Sequence, residues 1–236
     1  MARPNTMREE RDRIRAEYRR RDTDERLRSR YDPNDPAVRY ARDRLRAEMR
    51  SLLADRALLP LGERRILEVG CGSGAALEDL VAIGAIPSRL RGVDLSHERL
   101  SLVPAALRAA VVQADAAALP FADDSFDVVA QFTTLSSILD PGLRRSVADE
   151  MRRVLRPGGA ILWYDMRRTA PGSRTVPLPV AEIRALLPRF DITARFVTLA
   201  PPLARRLAPR LSLLADALAA APFLRTHVLA VARSQQ

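Results

Sequence analysis

Lysine is absent from this chain of 236 residues, and all 39 of its basic side chains are arginine. That absence removes lysine from the candidate catalytic groups. Cysteine occurs once, as Cys71, so no intrachain disulfide can form. Aromatic residues make up only 5 %, so a core must be built mainly from Leu, Ala and Val. No run approaches the roughly 18 consecutive apolar residues that a membrane-crossing helix needs. The charged start, Met1–Glu10, lacks the apolar centre of a secretory signal. These absences together lead us to expect a soluble, cytoplasmic protein. Internal repeats and low-complexity tracts are also missing, beyond a bias to Arg and Ala.

What is present is a hydrophobic fraction of 47 %, enough for a sizeable core, and a formal net charge of +10. The basic excess is spread out. Residues 1–50 carry 16 Arg against 11 acidic residues, and residues 166–236 carry 11 Arg against 3. Such a charge suits a nucleic-acid or acidic-membrane partner. It is equally what a GC-rich genome supplies when arginine codons replace lysine codons.

Residues 7–30 are charged, with a thin apolar stripe of Ile14, Tyr18 and Leu27, and read as a helix that needs a partner surface. Tyr31–Pro36 is a turn cluster. Asp35-Pro36 then reads as N-cap and first residue of a second helix to about Arg56, with Val38, Leu45, Met49, Leu52 and Leu53 on its apolar face. From residue 65 the texture changes. Strands are expected at 65–69, 89–94, 110–114, 126–131, 160–165, 192–199 and 227–232. Helices are expected near 75–83, 97–108, 142–155, 179–187 and 203–220. This alternation predicts a mostly parallel, doubly wound α/β sheet. The organisation expected is an N-terminal helical cap, 1–58, and one α/β domain, 59–236, with 203–220 as an accessory helix.

Ile66-Leu67-Glu68-Val69-Gly70-Cys71-Gly72-Ser73-Gly74 is an apolar strand running into three glycines at alternate positions, followed by a helix. Glycines here let a ligand lie against the backbone. Ligands of parallel sheets sit beyond the carboxyl ends of strands, which is where this turn falls. A dinucleotide fingerprint would have glycine at its sixth position, and here that residue is Ala75. Glu68 is awkward beside a pyrophosphate but suits a ligand carrying an ammonium and a sulfonium. Asp94 ends the next strand, where a carboxylate can accept both hydroxyls of a ribose; it also suits an N-cap for the helix at 97. Asp115, after the third strand, could accept from an adenine amino group or simply open a loop. Leu119-Pro120-Phe121 and Ser125-Phe126-Asp127 precede the fourth strand, and Leu155-Arg156-Pro157-Gly158-Gly159 the fifth.

In these residues the chain resembles the class I S-adenosylmethionine-dependent methyltransferases, in particular the quinone and small-molecule subgroup. The likeness is specific over about residues 60–165 and extends to 166–236 only in strand and helix pattern. The segments Leu135–Asp140 and Trp163–Asp165 also look like bacterial methyltransferases of glycan or secondary-metabolite pathways. The resemblance implies a Rossmann-like, seven-stranded sheet whose last strand, near His227–Ala232, is antiparallel. It implies S-adenosylmethionine as cofactor, S-adenosylhomocysteine as product, and no metal. Gly70, Cys71, Gly72 and Gly74 would surround the methionine moiety, with Glu68 orienting the loop and the amino group. Asp94 would hold the ribose and Leu95 pack on adenine. Asp115 and the backbone of Ala116 would read the adenine edge, and Gln131 would face the methionine portion near the methyl group.

Methyl transfer from a sulfonium is an in-line displacement in which alignment supplies much of the rate, roughly 7–11 kcal/mol at best. A base is needed mainly for a hydroxyl acceptor. Asp165 and Tyr164, closing the fifth strand, are the first candidates, although Asp165 equally suits a cap for the turn that follows. His97 and His227 read as structural or solvent-facing, and Cys71 as a small loop residue. Tyr18, Tyr31, Thr134 and Arg167 are candidate acceptor contacts. The fourth strand ends Gln131-Phe132-Thr133-Thr134, unlike the Asn/Asp-Pro-Pro-aromatic end of amino-methylating DNA enzymes. The single cysteine sits in the glycine loop, and the absence of lysine excludes a lysine-based ribose 2′-O site. A small-molecule acceptor, methylated on oxygen, is therefore expected, and nucleic acid is not. The alternatives are a non-catalytic cofactor-binding module and an RNA-modifying enzyme suggested by the +10 charge. The Leu-rich, basic segment 203–220 suits a membrane surface or a lipid-linked acceptor, or else a helix packed on the sheet with its arginines in water.

Overall fold

The structure, a computed structural model, describes residues 4–29, 32–170 and 172–234. Seven strands form one sheet: β1 (Ile66–Val69), β2 (Leu90–Asp94), β3 (Val111–Gln113), β4 (Phe126–Phe132), β5 (Leu155–Met166), β6 (Phe190–Leu199) and β7 (Arg225–Ser234). Their order is β3-β2-β1-β4-β5-β7-β6. β1 to β5 pair in parallel, and β7 runs antiparallel to β5 and β6. The chain leaves β1 to one side for β2 and β3 and returns to the other for β4. The carboxyl ends of β1 and β4 therefore flank the crevice in which doubly wound sheets hold ligands. β1 and β4 are buried almost throughout, as central parallel strands must be.

The helices are α1 (Pro4–Thr23), α2 (Glu25–Arg28), α3 (Pro36–Asp55), α4 (Ala75–Ala82), α5 (His97–Leu100), α6 (Pro141–Arg153), α7 (Val180–Leu186), α8 (Pro201–Leu207) and α9 (Ser212–Ala219). The Asp35 side chain accepts from the amides of Ala37 and Val38 and so starts α3. Asp140 starts α6 in the same way, through Leu143 N.

Three expected helices are interrupted. The helix over 7–30 breaks at Asp24, whose carboxylate caps the amides of Arg26 and Leu27 and restarts the chain as α2. The helix over 97–108 is one turn, α5, followed by a 3-10 turn at Ala105–Ala110, because Pro104 lacks an amide hydrogen and drives Val103 away from helical angles. The helix over 203–220 divides into α8 and α9 around Pro209 for the same reason.

Two apolar layers cover the sheet. On one face Leu67, Val69, Ile161 and Trp163 pack against α6 and α7. On the other, Ile66, Leu90, Leu162 and Leu229 pack against α3 and α4. Met49, Leu52 and Leu53 of α3 are fully buried in that second layer. Truncating one of them would cost about 2–5 kcal/mol. α3 thus completes the core of the sheet domain, although it precedes residue 59. α1 lies differently, with Met7 and Ile14 only partly buried against the first layer. α8 and α9 fill the β6–β7 crossover, with a small cluster of Leu199, Ala204 and Ala215 beneath them.

Candidate active site

β1 ends at Val69, and the chain then turns through Gly70, Gly72 and Gly74 at φ of +76°, +52° and +85°. All three lie in the left-handed region, where a side chain is strained. A Cβ at Gly70 would also fall 2.2 Å from Thr134 Oγ1. The loop is tied to β2. The amides of Gly70 and Cys71 donate to Val93 O at 2.8 and 2.9 Å, and the amide of Gly72 donates to Asp94 Oδ2 at 2.8 Å. Asp94 Oδ1 accepts Ser96 N at 2.9 Å. Asp94 therefore clamps both the glycine loop and the start of α5. A carboxylate has about four lone-pair sites, so acceptor capacity remains on each oxygen.

These groups open onto one cavity of about 60 Å³ beyond the ends of β1, β2 and β3. Gly70, Asp94, Leu95, Asp115, Ala116 and Thr134 line it, all of them expected site residues, together with Tyr18 from α1. The rest of the α1 wall was missed. Arg11, Ile14 and Arg15 also line the cavity, and Arg11 Nε lies 2.6 Å from Asp115 Oδ2. The spacing 11, 14, 15, 18 is one face of a helix, and it is the signal that could have found them. α1 is held over the cavity by Tyr18 OH donating to Ser137 Oγ at 3.2 Å, by Arg13 donating to Ser137 O, and by Glu10 accepting from Leu139 N. Arg99, a second unanticipated residue, stacks on the Tyr18 ring at 4.5 Å and pairs with Asp22 at 3.5 Å. Its guanidinium covers Gly72, where a Cβ would lie 3.4 Å from Nη1.

Beneath the loop Glu68 is buried, and its Oε2 has no hydrogen-bond partner. Burial first, then the nearby Asp94 and Asp79, push its carboxyl up to about 8. A positive group brought near would favour the ionised form. The Cys71 thiol is pushed far above its ordinary value by burial and then by Glu68 and Asp94, which disqualifies it as a thiolate nucleophile.

The remaining expected residues that are described do not line this cavity. Gln131 is fully buried, and its Oε1 accepts Thr134 N at 3.0 Å, shaping the turn after β4. Asp165 is also fully buried, accepting Ser136 N at 3.1 Å and Met166 N at 2.8 Å. Burial pushes its carboxyl up to about 6, against the lowering effect of those hydrogen bonds. Tyr164 and Asp165 were the first candidates for a base. As neighbours on one strand they point to opposite faces of the sheet, so they cannot converge on one acceptor. Tyr164 instead stacks on His227 with centroids 4.8 Å apart, and its hydroxyl is 2.9 Å from Thr198 Oγ1. Burial lowers His227 to about 4, so the imidazole is neutral near neutral pH. Arg167 lies over the Phe196 ring at 4.0 Å, and Tyr31 is outside the described residues.

A second cavity, of about 200 Å³, sits at the same edge of the sheet, between α3, the end of β6 and α8–α9. Tyr40 and Thr198 line it. Tyr40 OH donates to Asp216 Oδ1 at 2.6 Å, and Thr198 has φ of +63°, strained for a β-branched residue.

Residues 67–163 match the family described as methyltransferase domain. The chain is similar to the demethylmenaquinone methyltransferase of Clavibacter sepedonicus, 38 % identical over 111 residues, which are 45 % of this chain and 43 % of that one. It is similar to the ubiquinone biosynthesis O-methyltransferase of Thiobacillus denitrificans, 31 % identical over 55 % of this chain and 56 % of the relative. It thus spans about half the length of these relatives. An S-adenosylmethionine-dependent methyltransferase structure from Mesorhizobium loti superposes with a TM-score of 0.53 over 78 % of this chain and 97 % of that one, at 24 % identity, a likeness of fold. The glycine loop and the carboxylates after β2 and β3 all fall within residues 67–163, the stretch that matches the methyltransferase-domain family.

Proposed function

We propose that the protein transfers the methyl group of S-adenosylmethionine to a hydroxyl of a small molecule, in a natural-product or glycan pathway. The observation that carries this reading is the meeting of the left-handed glycine loop, Asp94 and Asp115 in one cavity at the switch point of the sheet. The cofactor supplies an electrophilic methyl on a good leaving group, and the chain's residues bind and align. Gly70 and Gly72 let a ligand reach the backbone. The unpartnered Glu68 Oε2 provides a carboxylate for an ammonium. The spare lone pairs of Asp94 suit a ribose diol, Leu95 and Ala116 flank an adenine, and Asp115 accepts from its amino group once Arg11 gives way. Gln131 fixes the turn that carries Thr134.

For a hydroxyl acceptor, Tyr164 is the candidate base in its phenolate form, taking up the acceptor's proton at the oxygen that lies 2.9 Å from Thr198 Oγ1. Asp165 acts through the position of Ser136 and not by contact. A small acceptor is favoured over nucleic acid because the arginines of α1 and α3 nearest the site are taken up by carboxylates. The names of the relatives, a quinone methyltransferase and an O-methyltransferase, point the same way.

One observation favours a second reading, a cofactor-binding module without turnover: both acids in the cavity wall are already engaged, Asp94 by amides and Asp115 by Arg11. Incubation with methyl-tritiated S-adenosylmethionine and a panel of phenols, hydroquinones and sugars separates the two. Labelled product from a hydroxyl compound supports the enzyme. Cofactor binding with no label in any acceptor would leave only the module.

A further inference from the structure

We propose that α8, α9 and the Pro222–Leu224 turn form a docking surface for an anionic lipid membrane. Large apolar side chains gather there on the outside of the molecule: Leu211 is 53 % exposed, Leu213 83 %, Leu214 45 % and Phe223 70 %. The inner face of the same helices is already used, with Ala204 and Ala215 buried. α9 is thus apolar on both sides, which a helix with only water outside does not require, and α8 beside it presents Arg205 and Arg206 outward.

The charges at this surface have one sign. Arg205, Arg206 and Arg210 are exposed, and among the described residues none of them has a carboxylate within ion-pair distance. Arg168 is exposed beside them and donates to Phe223 O at 3.4 Å. The one acid between residues 200 and 224, Asp216, faces inward and is taken by Tyr40 and Arg44. Leucines flanked by unneutralised arginines are the chemistry of an interfacial helix on anionic lipid, where apolar side chains enter the headgroup boundary and each basic residue adds attraction. A second copy of the chain fits less well, since a two-fold contact would set these arginines against themselves. No helix among the described residues is long and apolar enough to cross a membrane, so the contact is to the surface.

Docking here has a consequence for access. Ala204, Asp216, Ala219 and Ala220 of these helices also line the 200 Å³ cavity at the ligand edge of the sheet. A lipid-soluble molecule leaving the bilayer at this surface would meet that cavity first.

The test is flotation of the full chain with vesicles of phosphatidylcholine containing one third phosphatidylglycerol, and with phosphatidylcholine alone, at low and high salt. We expect binding to the anionic vesicles that weakens with salt, and little binding to the neutral ones. Arg205→Gln and Arg206→Gln should each weaken it about fivefold, and Leu213→Asn and Phe223→Asn about tenfold each. All four positions are exposed, and unchanged circular dichroism checks the fold of each variant. The proposal is overturned by failure to bind anionic vesicles, by equal binding of parent and variants, or by a concentration-dependent dimer that Leu213→Asn abolishes in place of vesicle binding. Vesicle binding is read without turnover, so its failure leaves the methyl-transfer reading standing.

Discussion

The arginines of α1 and α3 and those of α8–α9 are the same residue in opposite circumstances. In α1, Arg11, Arg13, Arg15, Arg20 and Arg21 each reach a carboxylate, and in α3 Arg42, Arg44 and Arg46 do so. The carboxylate pairs of Arg13, Arg15, Arg20 and Arg21 stay within α1, whereas others tie separate segments together: Arg42 and Arg46 meet at the buried Asp79 of α4, and Arg11 meets Asp115. In α8 and the turn after it, Arg205, Arg206 and Arg210 stand near exposed leucines, and the one acid of the segment, Asp216, is taken by Arg44. The formal charge of +10 is therefore a poor guide to a partner. What matters is which charges the fold has already neutralised, and in α1 and α3 eight arginines have been. The carboxylates show the same contrast. Asp79 is buried with two arginines, whereas Glu68 is buried with no cation.

The largest effect that would sharpen this contrast is at Glu68. Its folded carboxyl stays protonated up to about 8, whereas an unfolded one ionises near 4.5. The folded state holds more protons across that window, so stability falls as pH rises through it. Asp165, raised to about 6 by burial, adds to the same slope at its lower end. Glu68→Gln should flatten the slope and stabilise the unliganded protein by a few kcal/mol above pH 8, as measured by urea unfolding across pH. A slope unchanged in the variant would show that Glu68 is not an unpaired buried acid. Next is Asp79→Ala, which strands two partly buried guanidinium groups; we expect a loss of about 2 kcal/mol in chemical denaturation. No loss would mean that pairing in α3 is ornamental.

A smaller effect is expected at Arg11. If it occupies the place of a ligand on Asp115, Arg11→Gln should tighten S-adenosylmethionine binding a few-fold in equilibrium titration. Weaker binding would make Arg11 part of the site and not a competitor for it. Smallest is Arg205→Gln with Arg206→Gln, for which thermal unfolding should shift by no more than about 2 °C. A larger shift would place those arginines in the fold and break the comparison.

Much of the architecture was legible because its signals are local. All seven strands lie where short apolar runs meet turns, and the glycine loop announces itself within nine residues. Asp94 and Asp115 follow from their places at strand ends. The breaks at Pro104 and Pro209 carried a signal that the helical periodicity masked. The contact of α1 with Asp115 was not legible, since Arg11 and Asp115 are 104 residues apart and nothing in either segment records the other. That Tyr164 and Asp165 point to opposite faces of the sheet is contained in the strand period itself. Nor could the sequence distinguish paired from unpaired arginines, because pairing is a property of the folded surface.

The central claim is that the cavity bounded by Gly70, Asp94 and Asp115 is the cofactor site. Isothermal titration of S-adenosylmethionine into the full chain, and into Asp94→Asn and Asp115→Asn, tests it most directly. The account predicts saturable one-to-one binding, weakened about tenfold in each variant, as expected for removing a charge-assisted hydrogen bond of roughly 1.5–3 kcal/mol. No binding by the parent chain, or equal affinity in all three proteins, would contradict it.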